Sequence, residues 1–439
     1  MKISALTLFP SLYEPFFKTS LVGKAVARGE LDCVAVSMLD ACAPKERIDA
    51  PSCGHGAGML LRPEAVERAI EQTQATRGKA FKIFFSPHGK KLDQVRVREL
   101  AAHIYGKHDH LMLVAARYEG MDARVEEEYA DLILSVGDFV LMGGDLPAMV
   151  LLEALLRYMP GIVGSEESVQ ADSFSGALVD YPEYTHPIVW HDKEVPAVIR
   201  SGDHKAIAQW RTDKAAERTA LQHFGWFRSA HPTEKEVCAV TAHIPHHYVA
   251  LMHDHIELPG DRIGTTSVTS LDIHDIARSA CTYGLEKYFI MTPLYDQQRI
   301  VKTLLDFWQT GHGVSYNNQR HVAVSMVELA DSFEVVISRI EERESKRPLI
   351  VGTSARLVEQ SRMITFRDQA KVWAHNRPVL FVLGTGRGLS EEFLSTCDYV
   401  LVPLEGMTHF NHLSVRSAAA IIFDRWLGLQ PNGLQPRNV

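Results

Sequence analysis

The sequence has no apolar run of about 18 residues, so no segment reads as a membrane-spanning helix. Residues 1–10 are also too short and too polar for a secretory leader, and a cytoplasmic enzyme with no membrane contact is expected. Cysteine is sparse and never paired in spacing: Cys33, Cys42, Cys53, Cys238, Cys281 and Cys397 are scattered. That pattern argues against a disulfide framework or a cysteine-based zinc site and fits reduced thiols. Positive charge is not in excess. With 46 Lys and Arg against 54 Asp and Glu the net charge is −8, so any nucleic-acid contact has to come from a local basic patch. Short-period repeats and low-complexity tracts are missing. The glycine-rich segment at 54–58 has no following Lys-Ser/Thr, which argues against a P-loop. The glycines near 384 lack the dinucleotide-binding spacing, which disfavours a nicotinamide-dependent oxidoreductase.

A chain of 439 residues exceeds what one hydrophobic core usually organises, and 46% hydrophobic with 23% charged residues is ordinary for folded domains. Residues 1–160 alternate short aliphatic runs (3–9, 33–38, 81–86, 110–116 and 132–136) with amphipathic stretches (63–76, 92–104 and 146–158). That alternation predicts a sheet covered by helices. Asp145 stands where it could cap the last helix, and Pro160-Gly161 where it could stop. Residues 161–187 lose periodicity in favour of Gly, Ser, Glu and Pro, the composition of an interdomain connection. A helical module over 188–245 follows, with one helix at 206–223 and capping-box spacing at Thr233 and Glu236. Strand and helix alternation restarts over 246–439, predicting a second α/β domain.

Four segments of the first half put glycine and charge where open α/β sheets build ligand sites, just beyond strands. They are Gly54-His55-Gly56-Ala57-Gly58-Met59; Arg117-Tyr118-Glu119-Gly120-Met121-Asp122; the stretch from Val136 to Pro147; and Asp172-Ser173-Phe174 in the connection. Each alone has a plain structural explanation as a turn, an ion cluster, a helix joint or a solvated acid. With Leu6-Thr7-Leu8-Phe9-Pro10, Ser86-Pro87-His88-Gly89-Lys90-Lys91 and Trp210-Arg211, their order and wording resemble the TrmD family of tRNA guanine-37 N1-methyltransferases over about half the chain.

The resemblance implies a trefoil-knotted SPOUT-type α/β domain, S-adenosylmethionine as methyl donor, magnesium, tRNA as substrate and a homodimer with active sites at the subunit interface. Carried onto matching positions, it implies a cofactor pocket of Ser86, Pro87, Gly89, Tyr118, Glu119 and Gly120. The loop residues Val136, Gly137, Asp138, Val140, Leu141, Gly143, Gly144, Leu146 and Pro147 would complete that pocket. Substrate contacts would come from Gly56, Gly58, Met59, His204, Trp210 and Arg211. Asp172 and Arg157 match the family's catalytic pair. A base at Asp172 would remove the guanine N1 proton, and Arg157 would meet the negative charge gathering on O6. Glu119 would hold either magnesium or a cationic part of the cofactor. Lys205, Arg211, Lys214 and Arg218, with Trp210 among them, fall near one face of the 206–223 helix and suit phosphate contacts. Departures are Ser52-Cys53 for the family's Pro-Tyr, His55 and Ala116 for glycines, and Asp203 for Asn.

The second half resembles the SPOUT-like RNA methyltransferase domain fused behind TrmD in some bacteria. The resemblance is carried by Ser270-Leu271-Asp272-Ile273, Thr353-Ser354-Ala355-Arg356, Gly384-Thr385-Gly386-Arg387-Gly388 and Asn411-His412-Leu413-Ser414. It implies a second cofactor site at Gly384, Gly386, Leu404, Gly406 and Leu413, with Arg320, Arg356 and Asn411 as catalytic candidates by chemistry alone. The histidines at 243–247 and 253–255 are expected at interfaces or core edges rather than around a metal. A catalytically silent RNA-binding scaffold is the rival reading from another class.

Overall fold

The computed structural model describes residues 1–163, 172–260, 262–358 and 361–430, and the chain divides into two compact units, Met1–Ser175 and Gly176–Val439. The division falls inside the 161–187 connection. Residues 164–171 of that connection, and 431–439 of the expected second domain, lie outside the described residues. Among the described residues no helix is long and apolar enough to cross a membrane.

The first unit runs β1 (Lys2–Thr7), α1 (Tyr13–Lys18), α2 (Ser20–Ala27), β2 (Asp32–Ser37), β3 (Asp49–Pro51), β4 (Met59–Leu61), α3 (Pro63–Arg77), β5 (Phe81–Lys91), α4 (Gln94–Ile104), β6 (His110–Val114), α5 (Ala123–Tyr129), β7 (Leu132–Ser135) and α6 (Asp145–Leu156). β2-β1-β6-β5-β7 form one sheet with every pairing parallel. A parallel sheet has both faces covered, and the central strand shows it: all of β6 is buried. Leu111 and Leu113 pack on one side with α1, α2, α4 and α6, while Met112 and Val114 pack on the other with α3 and α5, the period of two that a pleated strand imposes. Local signals set the helix ends. Pro63 opens α3, Gly78 ends it at φ +93°, and Asp93 caps α4 through Arg96 N at 2.8 Å.

In the second unit α7 (His204–Gln222) and α8 (Glu234–Thr241) precede β8 (His247–Met252), α9 (Ser270–Thr282), β9 (Lys287–Met291), α10 (Tyr295–Gln309), β10 (Val327–Ala330), α11 (Phe333–Glu344), β11 (Leu349–Thr353), β12 (Met363–Ile364), β13 (Val379–Gly384), β14 (Tyr399–Leu401) and α12 (Val415–Leu427). The sheet order is β10-β9-β8-β13-β11-β14-β12, again parallel throughout. Thr233 and Glu236 form the expected capping box on α8. Asp203 caps α7 by accepting from Lys205 N and Ala206 N, so Asp in place of Asn there preserves the cap.

The α-helical segment shares a core with the second sheet. Ala216 and Ala220 of α7, with Phe224 and Phe227, pack into the cluster that holds Trp373, Phe423 and Trp426. Arg228 clasps the end of α12, donating to the carbonyls of Asp424, Arg425 and Gly428, at the helix end where the backbone dipole favours a cation. His247 is a core histidine: its Nε2 accepts from the indoles of Trp373 at 3.2 Å and Trp426 at 3.0 Å, and burial pushes its pKa down to about 3.

Candidate functional site

A cavity of about 250 Å³ opens at the carboxyl ends of β6 and β7, beside an irregular stretch of β5. Ser86 and Pro87 come from the first wall, a bulge within β5; Ala116, Arg117, Tyr118, Glu119 and Gly120 from the second, the loop after β6; and Val136, Val140, Leu141, Gly143, Gly144 and Pro147 from the third, the loop after β7 with the start of α6. Two of the four motif segments read from the sequence line the cavity. The Gly54–Met59 loop joins the second of these walls, because Glu119 N donates to Met59 O at 3.0 Å and Leu61 N to Gly120 O at 3.0 Å.

Two of the glycines lining the cavity, Gly143 and Gly144, are required by close approach. Gly144 N donates to Ala116 O at 2.8 Å, and Arg117 bridges Gly143, so the third loop lies directly on the second. A Cβ on Gly143 would come within 2.5 Å of Arg117 Cδ, and one on Gly144 within 2.9 Å of Ala115 Cα. β5 carries an irregularity: Phe85 and Lys90 both register against Leu134, so Ser86 to Gly89 bulge out of the ladder.

Four residues expected in the cofactor pocket do not line the cavity. A Cβ on Gly89 would meet the Leu134 backbone at 2.6 Å, so this glycine serves the passage of β5 over β7. Gly137 is buried under the Phe139 ring, and its carbonyl accepts from Ser135 Oγ at 3.0 Å. Asp138 points outward to Lys91 at 2.7 Å, and Leu146 lies on an exposed face of α6 with Val150 and Arg157. Asp145 is also corrected: Gly144 is the α6 cap position, and the Asp145 carboxylate does not cap the helix. It is buried, accepting from Thr7 Oγ1 at 2.6 Å and from Arg117 Nε at 2.7 Å. The Phe9 ring packs under that guanidinium at 4.8 Å. Asp145 thus joins the ends of β1, β6 and the start of α6, a link the sequence reading missed.

Glu126 and His88 were missed as well. Glu126, on α5, lines the cavity, with Oε2 3.2 Å from His88 Nε2, and His88 Nδ1 lies 2.7 Å from Ser86 Oγ. Burial raises the Glu126 carboxyl pKa, and the nearby imidazole partly offsets this. Among the described residues no group of three or more His, Cys, Asp and Glu side chains could hold a metal ion. Glu119 is exposed and packs against Gly58, and it shares the cavity with one other carboxylate, Glu126, so the described residues do not complete a magnesium site.

The Arg157 guanidinium donates a hydrogen bond to the Asp172 carboxylate, and both groups are partly exposed. Arg157 follows α6, whose start lines the cavity; twelve residues at 1.5 Å each put it on the order of 18 Å further along the helix axis. Neither Arg157 nor Asp172 lines the cavity of this chain. The exposed apolar residues Val140, Met142, Leu146 and Val150 lie on the loop and helix between the cavity and Arg157.

His204, Trp210 and Arg211 belong to the second unit. Trp210 and Arg211 meet the 181–184 stretch, through Tyr184 at 6.0 Å and the Tyr181 ring at 4.7 Å. The expected basic face is partly neutralised: Lys214 pairs with Glu217 at 2.5 Å and Arg218 with Asp180 at 3.6 Å. Lys205 stays exposed. At the other end of this unit, Gly384 closes β13 where a Cβ would strike Leu389 N at 2.6 Å, and Gly386 sits at φ +57°. Leu404, Gly406 and Leu413 follow β14 on a loop leaving the same edge of the sheet. Of the three catalytic candidates, Arg356 pairs with Glu257, Asn411 donates to Ala355 O at 2.9 Å, and Arg320 stacks over Trp308 at 4.9 Å.

Comparison with known proteins agrees with this arrangement. Residues 1–228 match the family described as tRNA (Guanine-1)-methyltransferase TrmD, and residues 246–428 match a family of SAM-dependent RNA methyltransferases. A tRNA (guanine-N(1)-)-methyltransferase of Nitratidesulfovibrio vulgaris is 38% identical over 434 residues, covering 98% of this chain and 99% of the relative. One from Oleidesulfovibrio alaskensis is 36% identical over 439 residues, with 98% and 99% covered. One from Deinococcus radiodurans is 41% identical over 244 residues, 55% of this chain and 85% of the relative. The chain belongs to the TrmD family of tRNA (guanine-1)-methyltransferases, in a form that carries a second, SAM-dependent RNA methyltransferase domain behind the first.

Proposed function

We propose that this chain transfers a methyl group from S-adenosylmethionine to N1 of guanine 37 in tRNA, acting in the cytoplasm as a homodimer of trefoil-knotted SPOUT domains. The observation that carries this reading is the glycine-built cavity at the carboxyl ends of β6 and β7, with the Arg157–Asp172 pair at the far end of the helix leaving it. When bound, the cofactor supplies a methyl already activated on a sulfonium. The protein therefore has to align it and manage one proton. Asp172 takes the proton from guanine N1, and Arg157 leaves Asp172 to face O6 as negative charge gathers there. In the free chain their mutual hydrogen bond keeps both groups oriented.

That neither Arg157 nor Asp172 lines the cavity of its own chain gives the dimer its reason: one subunit's Asp172 serves the cavity of its partner. The apolar stripe Val140, Met142, Leu146 and Val150 supplies the interface between the two. Glu119 faces the cationic part of the cofactor. The helical module, through His204, Trp210 and Arg211, contacts tRNA, while Gly56, Gly58 and Met59 border the target nucleotide. In the second unit, Gly384, Gly386, Leu404, Gly406 and Leu413 line a further cofactor site.

The test is Asp172→Ala. Single-turnover methylation should fall by about 10²–10⁴-fold while tRNA affinity holds within twofold. A silent RNA-binding scaffold would show no turnover to lose.

A further inference from the structure

The cavity's charged lining is unbalanced. Arg117, Glu119 and Glu126 are its ionisable residues of Asp, Glu, Lys, Arg and His type, and the charge of Arg117 is already held by the buried Asp145. Two carboxylates remain facing the space. Glu126 is the more fixed of them: its side chain is 15% exposed and is tied through His88 to Ser86, another wall residue. Burial and the tie to His88 hold this carboxylate at the wall.

We propose that Glu126 is the residue by which this cavity distinguishes the cationic methyl donor from its neutral thioether product. The inference rests on the cavity being the cofactor site. In the transfer the S–CH₃ bond breaks, its electron pair stays on sulfur, the N1–CH₃ bond forms, and the N1 proton leaves to the base. The cofactor thereby loses its sulfonium charge while keeping almost all of its shape. Contacts of shape and hydrogen bonding hold donor and product alike, so discrimination has to come from fixed charge. A carboxylate in a partly dry wall acts at an effective dielectric far below that of water, and over several ångströms its loss is read as about a tenfold change in affinity for the cation. The raised Glu126 pKa has the same origin, a carboxylate short of solvent and lacking a full counter-charge.

The experiment is isothermal titration calorimetry of the full chain with S-adenosylmethionine, S-adenosylhomocysteine, and an analogue bearing an amine in place of the sulfonium methyl. The variants are Glu126→Gln, Glu126→Asp and Gly144→Val. The binding event that Gly144→Val removes identifies the first-unit site. At that site Glu126→Gln should weaken the donor and the amine analogue about tenfold and the product less than about twofold, while Glu126→Asp keeps most of the discrimination. Equal losses for donor and product, or no loss for either, would overturn the role of Glu126 with the cavity assignment intact. Binding untouched by Gly144→Val in a folded protein would instead overturn the cavity assignment itself.

Discussion

Asp145 Oδ2 lies 2.7 Å from both Nε and Nη2 of Arg117, a buried acid and a partly buried base 28 residues apart that fix the start of α6 against the loop after β6. Removing the acid leaves a guanidinium without its partner in a mostly buried place. Asp145→Ala should lower the stability of the first unit by about 3 kcal/mol, seen as an earlier urea midpoint. An unchanged midpoint would show that the pair holds nothing together.

Gly89 tests the passage of β5 over β7. An added methyl falls 2.6–2.8 Å from the backbone of Ile133 and Leu134, which cannot yield without parting the strands. Gly89→Ala should cost about 1–3 kcal/mol and weaken cofactor binding through the displaced Ser86 wall, both readable by thermal melts with and without S-adenosylmethionine. Unaltered melting in both conditions would refute the packing role.

Sharing of the active site between subunits makes a quantitative prediction. Asp172→Ala breaks the base and Gly144→Val breaks the cavity, and each variant alone should be inactive. Mixed after subunit exchange at equal amounts, half the dimers are hybrid and each hybrid has one intact site, so activity should return to about a quarter of wild type. No recovery despite proven exchange would place base and cavity in the same subunit.

His247 sets an acid limit on the second unit. Its folded pKa is about 3 against 6.5 unperturbed, so the unfolded chain binds the proton first. The stability tied to neutral His247 is complete above pH 6.5 and is lost as pH falls from there toward 3, by at most about 1.4 kcal/mol per pH unit. Urea midpoints of the second unit measured between pH 7.5 and 5 should fall accordingly, and a flat profile would contradict the burial argument.

Local chemistry was the most legible part of the sequence. The Thr233–Glu236 capping box, the main strands and the glycine loops beyond them follow from spacing within a few residues, and the structure shows them. β10 and β12, four and two residues long, were not foreseen. α10 could have been found, since Val301, Leu305 and Trp308 recur at helical spacing and are all buried. The tertiary pairs had no sequence signature. Arg117 meets Asp145, and His88 meets Glu126, only because segments distant in the chain meet at one edge of a sheet. Asp145 was read as a cap because its position beside a helix start is where caps occur, and burial against Thr7 redirected it.

The central claim is the identity of the methylated atom. Nucleoside mass spectrometry of tRNA incubated with the full chain and isotopically labelled S-adenosylmethionine should yield labelled 1-methylguanosine, lost on Asp172→Ala. Labelled nucleosides without 1-methylguanosine, or 1-methylguanosine persisting at full yield in Asp172→Ala, would contradict it.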